Sequence, residues 1–220
     1  AEVGIFHTEE IAKKVREFGC QKVRCISYPC FFDVPMEKGT GYKNNPPVLL
    51  ALGGTRYEKG LDLLLEALNS IKVPFKLIIA GGVTDFDEKF VERAIRHYSS
   101  NVECNLRGLT DEEVVAYMQR SDVIVLPYRK IFDGASGPMC DGVYLGKAIL
   151  GPSHGSLGNL IQRHHVGYTF ESEDIHDLIR GLNTVLNNSF VYDETAIKYQ
   201  ESLQSKIFRD SYFKLYEQIM

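Results

Sequence analysis

From about residue 46 the chain alternates short apolar runs with stretches in which apolar residues recur every three or four positions. Pro47 to Leu52 is one such run and stops at Gly53-Gly54; Phe75 to Ala80 is a second and stops at Gly81-Gly82; Val123 to Leu126 is a third, ended by Pro127. Apolar runs of this length bounded by Gly or Pro predict strands buried on both faces. Leu61, Leu64, Leu65, Leu68 and Ile71 lie on one helical stripe between the first two. A polar helix is predicted from about Asp87 to His97, a short strand from Asn101 to Leu106, and a helix from Asp111 to Arg120 behind a Thr110 cap. Ala148 to Leu150 and Gly167 to Phe170 read as further strands, and Ile175 to Leu186 as a helix. Strand and helix alternating at this rhythm predict βαβ units, hence a doubly wound α/β fold with a Rossmann-like parallel sheet covered on both sides.

The two ends break the rhythm. Residues 1–45 show a helix near Thr8 to Phe18, a strand near Lys22 to Ser27, and a Pro-, Gly- and Asn-rich connector from Met36 to Pro47. This segment reads as the tail of another domain followed by a linker. Residues 46–190 carry the sheet pattern, and 191–220 read as one or two helices.

Composition narrows the function classes. At 44% hydrophobic and 25% charged residues the chain has the balance of a globular domain, and 220 residues suffice for one generous domain but not two. A net charge of -4 argues against general electrostatic binding of nucleic acid. The opening AEVGIFHTEE has no basic segment followed by an apolar one, and the five cysteines form no Cys-x-x-Cys pair. Together these predict a cytoplasmic protein with reduced thiols and no signal peptide.

Ligands of an open parallel sheet bind beyond the carboxyl ends of its strands, so the chemistry is sought in the loops there. The first reads Gly53-Gly54-Thr55-Arg56-Tyr57-Glu58-Lys59-Gly60 and runs into a helix. Its glycines allow close backbone approach, and Arg56 and Lys59 supply two cations for a pyrophosphate. The usual Gly-x-Gly-x-x-Gly and P-loop patterns are absent. The second loop runs from Asp133 through Gly134, Ala135, Ser136 and Gly137 to Asp141, with a helix predicted to start near Gly137. The amides of Ala135, Ser136 and Gly137 would then form an anion-binding nest between two carboxylates, with Asp141 roughly 6 Å into the helix. A nucleotide sugar suits such a site.

Taken in order, these stretches resemble the C-terminal, donor-binding domain of a GT-B retaining glycosyltransferase of family four, also called group 1. Arg56-Tyr57-Glu58-Lys59-Gly60-Leu61 resembles the family's Arg-x-x-Lys-Gly-hydrophobic stretch, and Asp133 to Asp141 its Glu-x7-Glu motif with both glutamates replaced. Ala80-Gly81-Gly82, Asn101-Val102 with Gly108, Ser121-Asp122-Val123 through Pro127, Gly146-Lys147-Ala148, Gly155-Ser156-Leu157-Gly158 and Gly167 keep the family's order. The resemblance covers about residues 8–190. It implies that Arg56 and Lys59 hold the donor diphosphate beside Gly53 and Gly54. Asp133, with the amides of Ala135 to Gly137, would meet the transferred sugar and distal phosphate, and Asp141 the ribose. The base would lie near Arg107, Gly108 and Leu109. It implies a nucleotide-diphosphate sugar as donor substrate, no cofactor and no metal. The acceptor, a glycan or a lipid-linked one, would bind an N-terminal domain beyond this chain, which leaves association with a membrane surface open.

Each aspartate is one methylene shorter than glutamate and reaches roughly 1.5 Å less, comparable to a displacement that impairs catalysis. A Ser-Gly-x-x-x-Asp version resembles a recognised variant within the family. A degenerate nucleotide- or partner-binding domain and a GT-B sugar-nucleotide epimerase are the alternative readings. Phe208, Tyr212, Phe213 and Tyr216 would be apolar surface that meets the N-terminal domain. Asp85-Phe86-Asp87 reads as helix caps before a metal site, His164-His165 as a surface turn, and His154, Tyr57 and Tyr128 as side chains on the ligand side of the sheet.

Overall fold

A computed structural model describes residues 3–95 and 99–219. It contains a six-stranded, all-parallel sheet in the spatial order β5-β4-β3-β6-β7-β8. The strands are β3 (Val48–Leu52), β4 (Lys76–Ala80), β5 (Val102–Asn105), β6 (Val123–Val125), β7 (Ala148–Pro152) and β8 (Gly167–Phe170). The helices joining them are α2 (Leu61–Leu68), α3 (Glu88–Ala94), α4 (Asp111–Arg120), α5 (Gly137–Tyr144) and α6 (Gly155–His164), and α7 (Ile175–Asn187) follows β8. The doubly wound α/β class expected from the pattern is the class observed.

Right-handed crossovers force the layering. The chain adds β4 and β5 on one side of β3 and β6, β7 and β8 on the other, so helices of the two halves fall on opposite faces. Leu49, Leu77, Ile79, Val125 and Leu150 pack with α2 and α7. Leu50, Ile78, Ile124, Leu126 and Ile149 pack with α4, α5 and α6. Alternation is thus present in three dimensions although both faces are apolar in the sequence. α4 starts at a full capping box, Thr110 with Glu113, as its cap residue predicted. The predicted end of the Asp87 helix at His97 lies outside the described residues.

Residues 3–45 hold one element more than the pattern shows. β1 (Gly4–Phe6) pairs in parallel with β2 (Val23–Cys25) across α1 (Glu9–Glu17), completing a small βαβ unit. Three residues carry too little periodicity to announce a strand, and pairing with β2 creates it. The Met36–Pro47 connector is held along its length. Gly39 lies against the Tyr192 ring, where a Cβ would come within 2.4 Å. Asp122, 4% exposed, accepts from the N–H groups of Lys43 (2.8 Å), Asn44 (3.3 Å) and Val48 (2.8 Å) and from Asn44 Nδ2 (2.9 Å).

The C-terminal residues form two helices, α8 (Glu194–Ser202) and α9 (Ser205–Ile219). Gln200 of α8 donates through Nε2 to the carbonyls of Glu37 (2.7 Å) and Val143 (2.8 Å), tying connector, α5 and α8 together. Phe208 of α9 meets His7 and Phe31, so the last helix crosses onto the first segment, while Phe213 and Tyr216 are exposed. His164 and His165 do more than turn the chain. The His164 ring stacks on Tyr199 at 4.0 Å, and His165 closes α6 at φ 52 and pairs with Asp193 at 2.7 Å.

Candidate functional site

The strand order reverses between β3 and β6, and a crevice opens beyond their carboxyl ends, where ligands of such sheets bind. Gly53, Gly54, Thr55, Lys59, Pro127 and Tyr128 line it. Gly53 sits at φ 118, a backbone region that glycine enters without strain, and donates to Ala80 O at 2.9 Å. Buried Thr55 anchors the β3 loop to the next one: its N–H reaches Gly82 O (2.9 Å) and its hydroxyl accepts from Thr84 N (2.9 Å). Asp85 accepts from Tyr57 N at 2.6 Å and Asp87 caps α3 through Phe90 N at 2.8 Å. Both aspartates of Asp85-Phe86-Asp87 thus hold backbone. No cluster of three His, Cys, Asp or Glu side chains suited to a metal ion occurs among the described residues.

The two candidate cations are held differently. Arg56 is half exposed and pairs with Glu58 at 2.9 Å. Lys59 ends a 3-10 turn (Tyr57–Lys59); its ammonium lies 4.1 Å over the Tyr128 ring and donates to the Tyr128 hydroxyl at 2.7 Å. That hydroxyl lies 3.4 Å from Ser136 Oγ, and Ser136 caps α5 by accepting from Met139 N. The predicted helix start at Gly137 is the observed one. Lys59, Tyr128 and Ser136 therefore link the loop after β3, the loop after β6 and the start of α5, residues far apart in sequence.

Asp133 points to another helix terminus. Its carboxylate accepts from Ser156 N (3.2 Å) and Ser156 Oγ (3.0 Å) at the start of α6, and from Lys14 of α1 at 2.5 Å. Burial acts to raise its pKa, but the Lys14 ammonium and the Ser156 donors outweigh it and hold the carboxyl below the usual range. Ser156 Oγ is also 3.1 Å from Thr8 Oγ1, the cap of α1. His154 occupies the cap position of α6, and both ring nitrogens are buried without a hydrogen-bond partner among the described residues.

Asp141 lies one turn into α5, near Tyr28 and Cys30 of the segment that leads to the connector. Burial pushes its carboxyl up to about 7, with the nearby Asp111 adding to the rise and a hydrogen bond to Cys30 opposing it. An acid whose pKa is higher folded than unfolded binds its proton more tightly in the native state, so this group's stabilising contribution is complete below about pH 4 and is lost as pH rises to 7. We expect the wild-type unfolding free energy to fall relative to Asp141→Asn by up to about 1.4 kcal/mol per pH unit across that window and to run parallel above it. Urea unfolding of both proteins from pH 4 to 8 measures this.

Arg107, Gly108 and Leu109 form the loop between β5 and α4. Arg107 makes a two-pronged pair with Glu113, whose carboxyl the guanidinium and the Thr110 N–H push down to about 2. Leu109 packs on the core cluster of the α4 face. The residues that pattern reading missed are Arg129, buried beneath the β3 loop, with its half-buried partner Asp62, and Lys14, which reaches Asp133 from the first helix. Each contact spans more than 60 positions, a separation at which spacing carries no signal.

A Rossmann-like α/β sheet with a lined crevice at its switch point is the class that these features define. The family described as glycosyl transferases group 1 matches residues 36–204, most of the chain, and this protein belongs to it. A curated relative, an uncharacterised glycosyltransferase of Methanocaldococcus jannaschii, is 27% identical over 139 residues, 63% of this chain and 38% of its own length. Among solved structures, a sucrose-phosphate synthase from Thermosynechococcus elongatus superposes with a TM-score of 0.77 at 15% identity over 98% of this chain and 57% of its own. The Anabaena protein HepE, solved with UDP and glucose, superposes with a TM-score of 0.68 at 12% identity over 99% of this chain and 64% of its own. The chain thus spans between about a third and two thirds of the length of these relatives. The GT-B, Rossmann-like fold implied by the resemblance is the fold observed. No described helix is long and apolar enough to cross a membrane.

Proposed function

We propose that this chain carries the donor site of a retaining, nucleotide-sugar-dependent glycosyltransferase, and that the acceptor, a glycan or a lipid-linked sugar, binds a domain outside these 220 residues. The observation that carries the reading is the switch-point crevice, where the Lys59 ammonium meets the Tyr128 hydroxyl at 2.7 Å beside the capped start of α5. A leaving diphosphate gains negative charge as the sugar carbon becomes cationic, and fixed cations with helix N–H groups stabilise that charge. Arg56 and Lys59 take the diphosphate. Asp133 and the amides of Ala135 to Gly137 take the transferred sugar and distal phosphate. Asp141 takes the ribose, and the loop of Arg107, Gly108 and Leu109 borders the base. The chemistry asks for no cofactor or metal, because these groups supply the charge. A lipid-linked acceptor would bring the protein to a membrane surface, and the isolated chain would bind donor without turnover. HepE, the neighbour solved with UDP and glucose, supports a nucleoside diphosphate as the ligand class.

Calorimetric titration with UDP, GDP, dTDP, ADP and pyrophosphate tests this. One nucleoside diphosphate is expected to saturate with a dissociation constant of roughly 10 μM to 1 mM. Arg56→Ala, at an exposed position, is expected to keep the fold and weaken that affinity about tenfold, a loss of about 1.4 kcal/mol. Equal affinity in the variant would remove Arg56 from the site.

A further inference from the structure

We propose that Arg129 is a positioning residue for diphosphate binding: it sets the turn that carries Arg56 and Lys59 without touching the ligand itself. This rests on the donor-site reading above. The geometry begins at Gly60, which at φ 66 breaks the chain between the 3-10 turn (Tyr57–Lys59) and α2. A break of this kind leaves the angle between the two pieces to be fixed by something outside them. Arg129, 5% exposed, spans it. On one side its guanidinium donates to Tyr57 O at 2.6 Å and its backbone N–H to Glu58 O at 2.9 Å. On the other side the same guanidinium grips the Asp62 carboxylate in the first turn of α2 with two bonds, 3.0 and 2.7 Å. Its Cζ also lies over the Tyr57 ring, 3.8 Å from the ring centre.

A planar fork holding a carboxylate at two points fixes orientation as well as distance, and the stacked ring fixes the remaining tilt. Lysine keeps the charge but has neither the fork nor the plane. The loop that carries Arg129 is itself fixed, since Ser172 Oγ donates to Tyr128 O at 2.6 Å. The position of the Lys59 ammonium therefore follows from a contact made behind it. Burying a guanidinium is unfavourable unless it is paired and hydrogen-bonded, and here it has the Asp62 carboxylate, Tyr57 O and, at 3.9 Å from Nε, the Glu173 carboxylate.

The test uses the full 220-residue chain, inorganic pyrophosphate as probe, and two readouts, calorimetric affinity and amide hydrogen exchange. In Arg129→Lys the exchange of the Lys59 and Gly60 amides is expected to quicken about tenfold while those of β3 and β4 hold, and pyrophosphate affinity to fall about tenfold. Adding Arg56→Ala to Arg129→Lys is expected to weaken binding by clearly less than Arg56→Ala does alone, because the cation is already misplaced. Unchanged turn exchange, or faster exchange with wild-type affinity, overturns the proposal. Wild-type chain that binds neither pyrophosphate nor any nucleoside diphosphate overturns the donor-site reading and the ligand role of Arg129 with it, while the exchange result reports separately on the turn. If Arg129→Lys does not fold, Asp62→Asn, which weakens one end of the fork at a partly exposed position, is held to the same outcomes.

Discussion

Gly60→Ala is expected to destabilise the protein by about 2–5 kcal/mol and to weaken diphosphate binding at least about tenfold. Two effects add. At φ 66 an alanine takes a left-handed conformation that disfavours a Cβ by about 1–2 kcal/mol. The new carbon would also lie 2.0 Å from the carbonyl oxygen of Pro127, which is backbone and cannot rotate aside. Forcing such contacts apart typically costs about 1–3 kcal/mol. The displaced partners are the loops after β3 and β6, so the strain falls on the crevice. Urea unfolding with calorimetric titration checks both parts. A variant of wild-type stability and affinity would mean that the two loops move apart freely.

Asp122→Ala is expected to cost about 3–5 kcal/mol, measured by the same unfolding experiment, with nucleotide affinity retained at temperatures where the variant is folded. The carboxylate collects four donors from the connector and the start of β3. Removing it leaves the buried Val48 N and the part-buried N–H groups of Lys43 and Asn44 without their acceptor, and a buried orphan costs about 1–3 kcal/mol. Asp122→Asn should be milder: one oxygen is kept, and the new NH2 group faces donors on the other side. If alanine costs under about 1 kcal/mol, the connector is held by Gln200 and the Gly39–Tyr192 contact instead.

Much of the sheet was legible because it is buried on both faces. Val48 to Leu52, Leu77 to Ala80 and Val123 to Val125 are apolar whichever way they point, so a run ended by Gly or Pro identifies them. The caps at Thr110 and Asp87 were legible for a local reason, since cap and N–H are three residues apart. β1 was not, because a strand of three residues exists only through its neighbour. The same divide runs through the site. The glycines and the pair Arg56 and Lys59 stand out in one loop. That Lys59 leans on Tyr128, or that Asp133 turns to Ser156 and Lys14, is set by contacts between distant segments.

From residue 46 on, the order and type of most elements, the parallel character of the sheet and the loops that face a ligand were determined by the sequence alone. Each follows from interactions within a few residues or from the burial that a parallel sheet demands. The tertiary structure decided which strands are neighbours, and so where the switch point opens. It also decided which polar groups meet: Arg129 with Asp62, Lys14 with Asp133, and Asp141 beside Cys30. Chain folding brings such groups together over separations that no local pattern encodes, and the strength of each contact depends on the water excluded around it, which exists only once the layers have packed.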